Sequence, residues 1–262
     1  MTRRVIAITG GSAGIGRATA IRLARDGAAV AMCARRADRL AAVADEVRGA
    51  GGEPLAIVAD VAREADMEQF VTATVERFKR LDVILCNAGF GIAGAIDDVT
   101  PDQMQKLIDV NFTGTYFAAR AALRVFRRQG YGHVIVVSSI AGKRGVPYMG
   151  AYAATKFAQV GLAESLRAEV AGSHIRVSVV YPVSTDTEFF DVMSHETGVA
   201  VTRAGGPRQP VEAVADAIAR AIERPTPEVY PYFKSRLLVV LNAVAPGVAD
   251  RLVQRFGRKP IR

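Results

Sequence analysis

The chain has 262 residues, half of them hydrophobic, with two cysteines and a formal net charge of +8. That length and apolar content suit a single α/β domain able to bury its core without disulfides or metals, and two cysteines set inside apolar runs supply no disulfide framework, which favours a reducing, cytoplasmic compartment. The charge is scattered arginine without zinc-finger spacing, a basic region with heptads or an aromatic ribonucleoprotein motif, so nucleic-acid binding is excluded as the main function; no run reaches the roughly 18 apolar residues of a membrane span, and no secretory leader is apparent before the first strand.

In chain order, the apolar run Val5–Thr9 meets Gly10-Gly11, and a helical period then covers residues 14–26 and stops at Gly27. Residues 28–34 are apolar, 36–48 helical up to the breaker Gly49-Ala50-Gly51-Gly52, 55–59 apolar, 63–80 helical and Val83–Cys86 apolar. One long helix is predicted over 101–129, with Thr100 as N-cap and Pro101 at the first helical position. A β-branched strand at 133–138, a helix at 151–171 and a strand at 176–181 follow. Residues 182–210 read as a long irregular loop with one short helix near 187–194, and a loop of that length in a compact domain is usually functional. A helix over Val211–Glu223, a short strand near 228–231 and a helical tail over 234–256, broken at Pro246-Gly247, complete the chain. Continuous apolar strands alternating with helices predict a parallel sheet, buried on both faces, in a three-layer doubly wound fold. Residues 1–233 form the catalytic domain in this reading, and 234–262 an amphipathic helical extension.

The first strand runs into Thr9-Gly10-Gly11-Ser12-Ala13-Gly14-Ile15-Gly16. Glycines between a strand and a helix let the backbone approach a pyrophosphate, whose charge then meets the helix N-terminus. The second strand ends at Arg35-Arg36, where an NAD-preferring protein usually carries a carboxylate; an arginine fork bonds the extra phosphate of NADP instead. The bland alternative is a pair of solvated arginines at a helix start. Asp60-Val61 closes the third strand, with Asp60 either accepting from the adenine amino group or capping the next helix. Asn87-Ala88-Gly89 closes the fourth, where small residues leave room for a cofactor.

Tyr152 and Lys156 stand four apart on one helix face. A phenol is a poor base at neutral pH, and a neighbouring ammonium together with the positive nicotinamide of an oxidised cofactor is expected to draw it toward the phenolate. Ser139, at the end of the fifth strand, can hold a carbonyl oxygen beside Tyr152. Asn111 sits in the long helix, where an asparagine side chain can bond backbone or water.

Together these motifs resemble the short-chain dehydrogenases/reductases over about residues 5–190. The resemblance implies a Rossmann-type seven-stranded sheet of order 3-2-1-4-5-6-7. It also implies Tyr152 as proton donor or acceptor, Ser139 orienting a carbonyl, Lys156 binding the nicotinamide ribose, and Asn111 supporting a proton-relay water. NADP(H) is the expected cofactor, a small alcohol or ketone the substrate, and a homodimer or homotetramer the assembly. Pro182-Val183 departs from the family's usual Pro-Gly, which casts doubt on Thr187 as a contact of the nicotinamide carboxamide, because valine forbids some geometries open to glycine. With strand one between them, Cys33 and Cys86 would lie about 9–10 Å apart, too far for a bridge. His133, His174 and His195 have no metal-ligand spacing, so no catalytic metal is expected.

Phe189, Phe190, Val192 and Met193 in the long loop, with Phe90 and Ile92 opposite, predict an apolar pocket for a lipid-like, steroid-like or aromatic substrate, or else merely pack the loop onto the domain. The tail carries apolar stripes at Leu237, Leu238, Val240, Leu241 and Val244, and at Val248, Leu252, Val253 and Phe256, beside Arg251, Arg255, Arg258, Lys259 and Arg262. It packs on its own domain, joins a dimer interface or lies on an anionic membrane. Two further readings of the whole chain compete with an oxidoreductase: a dinucleotide sensor without turnover, and a sugar-nucleotide epimerase or dehydratase.

Overall fold

The computed structural model describes residues 3–198, 200–201 and 208–256. β1 (Val5–Thr9) leads into α1 (Gly14–Arg25), β2 (Ala29–Ala34) into α2 (Ala37–Gly49), and β3 (Glu53–Val58) into α3 (Glu64–Phe78). β4 (Val83–Cys86) is followed by α4 (Pro101–Leu107), a π-helical turn at Ile108–Thr113 and α5 (Gly114–Gln129). β5 (Tyr131–Val137) precedes a short 3-10 turn at Ile140–Gly142 and then α6 (Gly150–Glu169). After β6 (His174–Val180), a two-residue strand β7 (Ser184–Thr185), helix α7 (Phe189–Thr197) and a second short strand β8 (Arg208–Gln209) form the segment before α8 (Val211–Glu223), β9 (Glu228–Val229), α9 (Ser235–Val244) and α10 (Pro246–Phe256).

The main sheet has seven parallel strands in the order β3-β2-β1-β4-β5-β6-β9, as the resemblance implies. Apolar side chains pack on both faces, Phe70, Phe126 and Leu166 on one and Leu23, Leu40 and Ile218 on the other. β1 and β4 are buried throughout, as their unbroken apolar sequences require. β3 is not: it lies at the sheet edge, and Val58 is 61% exposed. β1 separates β2 from β4, so Cys33 and Cys86 remain free thiols; burial pushes Cys86 up to about 12 and raises Cys33 as well.

Two helical expectations are corrected. The predicted single helix over 101–129 begins as expected, with Thr100 and Gln103 forming a reciprocal capping box, but one wider turn interrupts it at Ile108–Thr113. In the tail the break falls at Ala245 rather than at Pro246-Gly247. A residue before proline is pushed out of the helical region, Ala245 has φ −144° and ψ 65°, and Pro246 opens α10. Gly205-Gly206-Pro207, and Arg258, Lys259 and Arg262 of the basic tail, lie outside the described residues. Among the described residues no helix is long and apolar enough to cross a membrane.

His133 on β5 is buried, with Nε2 2.8 Å from Ser178 Oγ. The Ser178 hydroxyl donates to Thr226 O, so Nε2 carries the ring proton and Nδ1 faces the interior unpaired. Burial lowers its pKa to about 4, assisted by Arg176 and Arg4. An unfolded imidazole takes a proton near pH 6.5 that the folded chain refuses until about pH 4, so stability falls as pH drops through that window, by about 3 kcal/mol in full. His133→Asn is therefore expected to flatten the pH dependence of urea-unfolding stability below about pH 6.5. An unchanged slope would place that acid sensitivity on other groups.

Candidate active site

The parallel strands all end at one edge of the sheet, and a cleft of about 770 Å³ opens there. Gly10, Ser12, Gly14 and Ile15 line it after β1, Arg35 and Arg36 after β2, Asp60 and Val61 after β3, and Asn87, Ala88 and Gly89 after β4. Ser139, Tyr152, Lys156, Pro182, Val183 and Thr187 line its other half. Of the candidate catalytic and cofactor-binding residues, Gly16 and Asn111 stand behind the wall rather than in it.

Close backbone approach explains the glycines. Gly10 has φ +67°, and a Cβ there would come 2.8 Å from the Ala88 Cα; a Cβ on Gly16 would collide with the Gly10 carbonyl. Thr9 ties the two strand ends together, its hydroxyl accepting from the backbone N–H groups of Asn87 (3.0 Å) and Ala88 (3.1 Å). The Asn87 amide returns a bond to Thr9 O at 3.0 Å. Ala13, the N-cap of α1, offers no side-chain acceptor, and the first turn holds no acidic residue. This helix start therefore keeps its N–H groups for an anion, and a dinucleotide pyrophosphate fits the cradle.

At the end of β2 the arginines are exposed. Arg36 Nη2 lies 2.7 Å from Glu188 Oε1, and Arg39 Nη1 lies 2.5 Å from Glu188 Oε2. Burial alone would raise the Glu188 carboxyl, but the two guanidinium bonds outweigh it and hold the group below the usual range. Glu188 thus reaches back from the loop after β6 to the start of α2, a contact invisible in the sequence. Asp60 does not cap α3: its Oδ1 accepts from Ala62 N at 3.0 Å, while the N-cap is Arg63 without a side-chain bond. Val61 packs against Gly114, where a Cβ would come within 2.8 Å of its methyl.

The chemical end is built on α6. Tyr152 is buried, edge-on to Phe189 with ring centroids 5.6 Å apart, and Lys156 Nζ lies 5.6 Å from the Tyr152 ring centre. Ser139 starts the 3-10 turn and accepts from Ala141 N at 3.1 Å, which fixes its side chain beside Tyr152. Burial pushes the Tyr152 phenol up to about 12, while its hydrogen bond with Ser139 opposes the rise. In the cleft without cofactor, burial outweighs Lys156; the lowering expected from Lys156 together with an oxidised nicotinamide concerns the loaded site. Burial also lowers Lys156 itself to about 7, because its partners are the neutral Val137 O (3.0 Å) and Gln159 Oε1 (3.1 Å) rather than a carboxylate.

Asn111 is fully buried inside the π turn. Its side chain accepts from Phe90 N at 3.0 Å and donates to Phe90 O at 2.9 Å and Thr155 Oγ1 at 3.0 Å. Its carbonyl accepts from Thr115 Oγ1 at 2.7 Å and Gln159 Nε2 at 2.6 Å. Gln159 thus bridges Asn111 to Lys156 directly, along the path where the resemblance implies a relay water. The sequence reading passed over Gln159, although its place three residues after Lys156 and seven after Tyr152 puts it on their helix face.

Val183 does not take a left-handed backbone, a conformation that Lys79 and Tyr148 alone adopt among the described non-glycine residues, so the valine is accommodated without strain. Thr187 reaches the cleft beside Gly14, with its hydroxyl accepting from Phe189 N at 3.3 Å. Phe90, Phe189, Phe190 and Val192 line the cleft, whereas Ile92 and Met193 are packed away from it. Among the described residues no cluster of histidine, cysteine or carboxylate could hold a metal.

Residues 4–197 match the family model for short chain dehydrogenases. The chain is 33% identical over 256 residues to YxnA, an uncharacterised oxidoreductase of Bacillus subtilis, covering 97% of this chain and 72% of the relative. An alcohol dehydrogenase from Thermococcus sibiricus, complexed with 5-hydroxy-NADP, superposes with a TM-score of 0.77 at 30% identity, over 87% of this chain and 96% of that one. A short chain dehydrogenase/reductase from Burkholderia phymatum, in complex with NAD, superposes with a TM-score of 0.83 over 99% of this chain and 98% of that one; at 23% identity it speaks for the fold alone.

Gln159→Leu should leave Asn111 O and Lys156 Nζ each short of a buried partner. A loss of about 2–3 kcal/mol in urea unfolding is expected; an unchanged midpoint would show that the bridge carries no stability.

Proposed function

The chain belongs to the short-chain dehydrogenase/reductase family, an oxidoreductase family, and from that premise we propose that it is an NADP(H)-dependent enzyme moving a hydride between the nicotinamide and a carbonyl or secondary alcohol. The observation that carries this reading is the buried pair Tyr152 and Lys156, with Ser139 beside them, in a cleft whose far end presents two arginines.

Gly10, Ser12, Gly14 and Ile15 would hold the pyrophosphate against α1, with Gly16 behind them giving the Gly10 carbonyl room. Arg35 and Arg36 would bond the 2′-phosphate, with Arg36 exchanging its Glu188 carboxylate for the phosphate. Asp60 and Val61 would face the adenine, Asn87, Ala88 and Gly89 the ribose side, and Pro182, Val183 and Thr187 the nicotinamide side. The bound cofactor supplies or accepts the hydride. Ser139 orients the substrate oxygen, and Tyr152 gives it a proton or takes one away. A phenol held near 12 is protonated at neutral pH, the state that donates to the alkoxide formed when a carbonyl is reduced; oxidation runs the same transfer in reverse. Lys156, held by Gln159 and Val137, supplies adjustable positive charge beside Tyr152 and binds the nicotinamide ribose. Asn111 holds Gln159 and so keeps that ammonium in place.

Phe90, Phe189, Phe190 and Val192 favour an apolar substrate of lipid, steroid or aromatic type. The proposal extends to a cytoplasmic homodimer or homotetramer, with residues 1–233 as the catalytic domain and 234–262 as its helical extension.

NADPH consumption against ketones and aldehydes of graded size tests the chemistry. Tyr152→Phe should lower kcat roughly 10²–10⁴-fold with binding retained. Tight NADPH binding without turnover on any substrate would favour a dinucleotide sensor. In a fluorescence titration NADPH should bind at least about tenfold more tightly than NADH, and Arg35→Ala with Arg36→Ala should erase the difference. Equal affinities in the wild type would overturn the NADP assignment.

A further inference from the structure

The two faces of α9 have different surroundings. Ser235, Leu238 and Asn242, at i, i+3 and i+7, face the domain: Ser235 is buried, Leu238 lines the cleft, and Asn242 accepts from Arg144 Nη1 at 2.7 Å. The same Arg144 pairs with Asp250 of α10, pinning both helices over the loop that follows Ser139. Leu237, Val240 and Val244, at i, i+3 and i+7 on the opposite face, are 69%, 53% and 75% exposed. Phe233 before the helix and Val248 after it extend this stripe, both strongly exposed. Such a row of large apolar side chains in water is costly unless something covers it.

Charge says what covers it. Residues 234–262 hold seven basic side chains against the single acidic Asp250, a net +6 out of +8 for the whole chain. Asp250 is already engaged by Arg144, while the exposed Lys234 and Arg236 flank Phe233 and Leu237. A second copy seated on this face by two-fold symmetry would bring the exposed Lys234 and Arg236 of both copies together. An anionic bilayer instead supplies both an apolar interior for the stripe and negative headgroups for the cations.

We propose that the outer face of α9, with Phe233 and Val248 at its ends, docks this protein onto anionic lipid surfaces. Leu252 and Val253 of α10 line the cleft beside Leu238, so the docked helices would stand between the bilayer and the substrate space. Direct transfer of an apolar substrate from lipid to that space rests on the function proposed above; docking itself does not.

The test is co-sedimentation of the full chain with vesicles of equal phosphatidylglycerol and phosphatidylcholine, against vesicles of phosphatidylcholine alone. The wild type should pellet with the anionic vesicles at low salt and be largely released at molar salt. It should bind phosphatidylcholine at least about tenfold more weakly. Leu237→Glu with Val244→Glu should abolish pelleting without changing the melting temperature or NADPH affinity. Should the pair fail to fold, the lipid and salt comparisons on the wild type still decide. A wild type left in the supernatant, binding indifferent to lipid charge, or a folded double variant that still pellets would overturn the proposal. So would a double variant that loses an oligomer in the absence of lipid, since a second copy would then be the cover.

Discussion

The π turn at Ile108–Thr113 is the constraint on which the chemical half of the cleft depends. In this wider turn the Asn111 side chain lies in the gap between the β4 loop and α6, and its backbone carbonyl takes side-chain donors. The side chain then bonds both backbone groups of Phe90 and the Thr155 hydroxyl, and the carbonyl takes bonds from Thr115 and Gln159. Gln159 passes the constraint to Lys156, and Lys156 lies against the Tyr152 ring. Each member is buried, so each lost bond would leave an unpaired polar group in low dielectric, and the set stands or falls together. The register of the β4 loop, α5 and α6 is thereby fixed by polar satisfaction as much as by packing.

The cradle half is held differently, by closeness. Thr9, Gly10, Gly16 and Asn87 bring two strand ends and a helix start so near one another that side chains are excluded. Between the halves runs the Glu188 contact, which binds the loop after β6 to Arg36 and Arg39. If Arg36 holds a 2′-phosphate as proposed above, cofactor preference and the position of that loop would share one guanidinium.

Much of this was legible in the sequence. Unbroken apolar runs marked the buried strands, Thr100-Pro101 marked a helix start to the residue, and alternation of strand and helix implied the layers. Gly10 and Gly14 after β1, Arg35-Arg36, Ser139 and Tyr152-x-x-x-Lys156 fall in one cleft because parallel strands all end at the same edge. The π turn was hidden, since residues 108–113 keep an acceptable helical pattern and the extra residue is favoured only by distant partners on α6. The direction of the Tyr152 and Lys156 shifts was hidden too: spacing predicts proximity, whereas burial is a property of the whole fold. The exposed Val58 shows the same limit for β3, whose apolar sequence does not say that it lies at the sheet edge. Ala245 was readable in hindsight, because the residue before a proline rather than the proline itself leaves the helix.

A crystal structure with NADP bound tests the central claim most directly, because cofactor orientation, phosphate recognition and the place of Tyr152 are read together. The 2′-phosphate is expected at Arg35 and Arg36, with Glu188 released from Arg36, and the nicotinamide between Thr187 and Tyr152 with its ribose on Lys156. A phosphate turned away from both arginines, or a nicotinamide ring out of reach of Tyr152, would contradict it.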